Sequence, residues 1–83
     1  MNYNQAREDF EYLERIAEVE DQVELDAQRI YLMQNPTKAQ AARMYETAID
    51  LWFTEHAGQH NDPFVNEIAD RYGWNNLSDT YDF

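Results

Sequence analysis

From Asn4 to Gln34 the chain runs without one glycine or proline, so nothing local interrupts a helix there. The same stretch holds nine carboxylates, Glu8, Asp9, Glu11, Glu14, Glu18, Glu20, Asp21, Glu24 and Asp26, against Arg7, Arg15 and Arg29. Wound as a helix, it places Ala6, Phe10, Leu13 and Ala17 on one side. Tyr12, Ile16, Val19, Val23, Ala27 and Ile30 form a neighbouring apolar side that takes over towards the C-terminal half. Glu11, Glu14, Glu18 and Asp21 recur at steps of three and four residues, which aligns their carboxylates over roughly 15 Å of one continuous helix. The spacing therefore predicts one long acidic helix. The stripe drifts between Glu18 and Asp21, where a bend or short break is compatible with the sequence.

Downstream, punctuation is explicit. Pro36 disfavours helical geometry at Asn35, and Thr37 with Gln40 three residues later matches a capping box, so a second helix is expected from Lys38 to about His56. Ala41, Met44, Tyr45, Ala48, Leu51 and Trp52 make its apolar face, widened by Ile49 and Phe53, and Gly58 supplies a left-handed stop. Asp62-Pro63 is an N-cap followed by proline at the first helical position, opening a third helix to about Tyr72 with Phe64, Val65, Ile68 and Ala69 apolar. Gly73 ends it, and Trp74 to Phe83 reads as an irregular or one-turn cap. The expected fold is all-α: a small three-helix bundle with a long acidic N-terminal helix, residues 1–83 making a single interaction domain.

Composition narrows the function. Hydrophobic residues at 43% and aromatics at 14% are enough for a core despite the charge. With 17 acidic against 6 basic residues the net charge is −11, which disfavours direct contact with nucleic acid or anionic membranes and favours basic protein surfaces, including nucleic-acid grooves. There is no cysteine, no apolar run of membrane length, and no basic-then-apolar order in MNYNQAREDF, so a cytoplasmic protein is expected.

Three patterns could carry chemistry. His56 and His60, with Glu55 and Asp62 beside them, have zinc-like spacing, but Gly58 breaks the face they would share, and no metal or other cofactor is expected. Glu67 to Trp74 looks like the first helix and glycine turn of a helix-turn-helix unit. The segment that would be its reader, Asn75 to Phe83, carries Asp79 and Asp82 and no base, the wrong sign for DNA. Paired carboxylate catalysis needs a cleft that separates two pKa values, and the acids fall on faces expected to be exposed. Ser78 is the only serine, with no histidine near it in sequence, so an enzyme is not expected. Tyr31, Tyr45, Trp52, Phe53 and Trp74 have core spacing, although one or two tyrosines could anchor an interface.

In size, acidity and lack of catalytic residues the chain is similar to phage-encoded inhibitors of nucleic-acid enzymes, among them anti-CRISPR and anti-restriction proteins, and to bacterial immunity proteins. That resemblance implies a non-catalytic inhibitor that occupies a basic nucleic-acid groove by mimicry. The residues that would meet the partner are Glu8, Glu11, Glu14, Glu18, Asp21, Glu24 and Asp26. Two alternatives stand beside it. The acidic face could be simply solvated, or the apolar faces of the first two helices could assemble a structural or adaptor oligomer, leaving monomer and homodimer both open.

Overall fold

A computed structural model describes residues 2–56, 58 and 60–74. Every regular element among them is α-helical: α1 (Tyr3–Ile16), α2 (Val19–Leu32), α3 (Lys38–Glu55) and α4 (Pro63–Arg71). The fold is thus all-α, as expected. The chain forms two compact units, Met1–Trp52 and Phe53–Phe83. The expected cap over Trp74 to Phe83 lies, beyond Trp74, outside the described residues.

The expected single N-terminal helix is two helices. Ala17 (φ −66°, ψ 142°) and Glu18 (φ −76°, ψ 169°) are both extended, which ends α1 and caps α2. Neither residue is a helix breaker, so the cause is tertiary. Arg29 donates through Nε (2.8 Å) and Nη2 to the two carboxylate oxygens of Glu14, and its guanidinium lies 6.0 Å from the centre of the Phe10 ring. Glu14 and Arg29 are fifteen residues apart, a separation of about 22 Å along an unbroken helix. Such contacts require α2 to fold back beside α1.

In the first unit α1 contributes Ala6, Phe10 and Leu13 to the core, the side read from its spacing. Tyr45 of α3 reaches the same helix, its ring 5.2 Å from Phe10 and 5.8 Å from Tyr3, both tilted. Asn2 caps α1 by accepting from the Gln5 N–H at 2.7 Å. The inner residue of α2 is Leu25, joined by the buried Asp21. The second apolar side expected of the N-terminal segment is not core: Ile16, Val19, Val23 and Ile30 are exposed.

The start of α3 is the expected capping box, with Thr37 N–H donating to Gln40 Oε1 (2.9 Å) and Gln40 N–H to Thr37 Oγ1 (3.2 Å). Asn35 before it takes φ 56°, a left-handed geometry that asparagine tolerates. Along α3, Ala41, Ala48, Ile49, Trp52 and Phe53 are buried, while Leu51, expected inside, is 37% exposed. Ile49 and Phe53 occupy the inner side in its place.

The second unit holds the end of α3 and all of α4. Asp62 Oδ1 accepts from Phe64 N–H at 2.9 Å and Pro63 sits in the first turn, as its sequence signals. Val65, Ile68 and Ala69 are buried, and Phe64 is not. At the far end Gly73 takes φ 79°, its N–H donates to Asp70 O (3.2 Å), and Trp74 N–H donates to Ala69 O (2.8 Å). That is a Schellman stop, which only a left-handed residue completes without strain. Trp74 stacks on Phe53 at 6.1 Å.

Candidate partner-binding surface

The hairpin break rearranges the acidic ladder. Glu8 and Glu11 project from α1, Glu11 beside Arg7 at 4.0 Å with both side chains about half exposed. Glu14 faces α2, where the Arg29 guanidinium holds it. Glu18 occupies the N-cap of α2 without a side-chain cap bond. Asp21 is only 6% exposed and is part of the core, contrary to the exposed position expected of it. Glu24 and Asp26 are exposed on α2, and Asp26 accepts from Gln22 Nε2 at 2.8 Å. One straight line of four carboxylates does not exist, because it required a helix that continues through Ala17 and Glu18. The acids instead decorate two separate helices.

An open groove of about 430 Å³ runs between those helices, lined by Glu11, Glu14 and Arg15 of α1 and Gln22, Asp26 and Arg29 of α2. Three carboxylates against two guanidiniums leave it nearly balanced. The Arg29 pKa is raised above its usual value, first by the hydrogen bond to Glu14, so the guanidinium stays charged at any physiological pH. With Arg29 half exposed, the pair orients the hairpin more than it stabilises it, and such pairs contribute about 0–1 kcal/mol.

No family model, curated protein or solved structure matches this chain.

The zinc-like histidines are separated by the left-handed Gly58 (φ 107°). His60 is fixed by a reciprocal pair of bonds, its N–H donating to Asn66 Oδ1 (2.9 Å) and Asn66 Nδ2 donating to its carbonyl (2.7 Å). Its ring lies edge-on to Phe53 at 5.9 Å.

The residues that the sequence reading misplaced are Val19, Val23, Ala27 and Ile30. On α2 they fall within about 80° of the helical wheel, opposite Leu25 and Leu32. Val19 is 83%, Val23 66% and Ile30 61% exposed. The signal was available: this segment carries two apolar sides, and a peripheral helix of a small bundle buries one. Glu20 and Glu24 flank the stripe on one side and Asp26 on the other. Arg29, the only base of α2, is turned to Glu14.

No helix among the described residues is long and apolar enough to cross a membrane.

Proposed function

We propose that this protein is a non-catalytic binding protein that occupies a basic surface of another protein, of the kind that ordinarily holds nucleic acid, and so inhibits or modulates that partner. The observation that supports the reading is the exposed carboxylate set on the α1–α2 hairpin: Glu8, Glu11, Glu18, Glu20, Glu24 and Asp26 all face solvent. The hairpin's three arginines cannot neutralise it, since the segment holds nine acids. Uncompensated charge of one sign on a small rigid element raises encounter rates with an opposite surface and disfavours other partners. Carboxylates spread over two adjacent helices can meet several Lys and Arg side chains that would otherwise hold phosphates.

The test is capture of partners on the immobilised protein from cell lysate, washed in low and in high salt and challenged with duplex DNA or RNA. A basic nucleic-acid-binding protein released by salt and displaced by nucleic acid is the expected result. Recovery of only its own copies would overturn it in favour of the oligomeric reading. The substitutions to pair with this are Glu8→Gln, Glu11→Gln and Glu18→Gln together, expected to weaken capture at least about tenfold, or 1.4 kcal/mol. Glu14 and Asp21 are unsuited to that purpose, because one holds Arg29 and the other is buried.

A further inference from the structure

The outward stripe on α2 places apolar side chains where a charged helix face would normally be, and it has its own electrostatic border. Across the fourteen residues of α2, about 21 Å of helix, Val19, Val23, Ala27 and Ile30 repeat at steps of four, four and three. That spacing is the footprint of a second helix lying alongside, whose side chains interdigitate with such a row. The flanks are Glu20 and Glu24 on one edge and Asp26 on the other, without a compensating base.

This border decides between occupants. A second copy would meet the stripe with its own flanks, and a two-fold contact sets the same patch against itself, so Glu20, Glu24 and Asp26 would face their own kind between two chains of net charge −11. Four short aliphatic side chains fall well below the ~800 Å² per partner of a standard interface, so apolar burial alone would not offset that repulsion. A partner helix with a row of apolar residues bordered by Lys and Arg meets both requirements at once.

We propose that the outer face of α2 is a docking site for a basic amphipathic helix of the partner protein. This deepens the reading above and rests on it: the carboxylates provide attraction, and the stripe selects helices whose apolar residues are aligned.

The experiment titrates the full-length protein with three synthetic peptides of about 18 residues, long enough to cover α2. The first aligns Leu on one helical face with Lys on both borders. The second has the same composition permuted so that the Leu residues do not align. The third keeps the Leu row and replaces Lys with Glu. Affinity is read by fluorescence anisotropy, and the site by amide shifts in the protein's NMR spectrum. The aligned basic peptide is expected to bind at least tenfold more tightly than the permuted one, with shifts centred on Val23 and Ile30. The double variant Val23→Ser/Ile30→Ser should erase that advantage and keep the weaker binding of the permuted peptide. Both residues are exposed, so the variant should fold, which circular dichroism checks.

Equal binding of the aligned and permuted peptides would overturn the stripe and leave the acidic-surface reading standing. Binding of neither basic peptide at low salt would overturn both. Tight binding of the Glu-bordered peptide would overturn the role given to the carboxylates. A dimer in sedimentation that the double variant abolishes would assign the stripe to a second copy.

Discussion

Two side chains two positions apart on α3 show how narrowly placement decides energetics. Ile49 is fully buried and Leu51 is 37% exposed, although both are expected on the apolar face of one helix. Ile49→Ala is therefore expected to cost about 2–5 kcal/mol and Leu51→Ala under about 1 kcal/mol, measured by urea denaturation. Equal costs would mean that α3 is rolled relative to the arrangement described here. Tyr45 offers a second test. Burial, then its interactions with Tyr3, raise its pKa above the usual phenol value. A raised folded-state pKa gives stability that is complete below the unfolded value, near 10, and lost as pH climbs through the folded one. Stability should thus fall as pH rises above about 10, and Tyr45→Phe should flatten that fall. An unchanged slope in the variant would remove Tyr45 as its source.

Among elements, the boundaries that were legible are those written in local chemistry. Thr37 with Gln40, Asp62 with Pro63, and Gly73 each satisfy particular end groups of a helix, and each stands where its sequence placed it. The break at Ala17–Glu18 carries no such mark, since both residues favour helix. It follows from contacts among Phe10, Glu14 and Arg29, residues far apart in sequence, which no window of neighbours contains. The break has a direct test. Glu18 has φ −76° and Ala17 before it is extended, the geometry that proline and its predecessor adopt unaided. Glu18→Pro should be neutral or stabilising by about 0.4–1 kcal/mol, whereas inside one continuous helix it would cost about 3 kcal/mol or more. A large loss in melting temperature would restore the single helix.

For the whole molecule, charge was legible and its placement only in part. Acidity follows from counting 17 acids against 6 bases, yet which acids face outward depends on the hairpin, which turned Glu14 onto Arg29 and Asp21 into the core. The apolar stripe was misassigned for a related reason: spacing shows that residues share a face and is silent on which face meets the core. A net charge of −11 on so small a body repels itself, and screening relieves it as the Debye length shrinks from about 30 Å at 0.01 M salt to about 8 Å at 0.15 M. The melting temperature should rise by a few degrees over that range while partner capture weakens. A falling melting temperature would show that attractive pairs, not repulsion, dominate the surface.

Because α2 is apolar on both sides, hydrophobicity hardly distinguishes it from the same helix spun half a revolution about its axis, with Val23 and Ile30 inward and Leu25 and Leu32 outward. The clamp between Arg29 and Glu14 supplies the asymmetry. A contact worth little as stability thus acts as a bias, favouring one of two orientations that apolar burial separates poorly, by up to about fivefold for 1 kcal/mol.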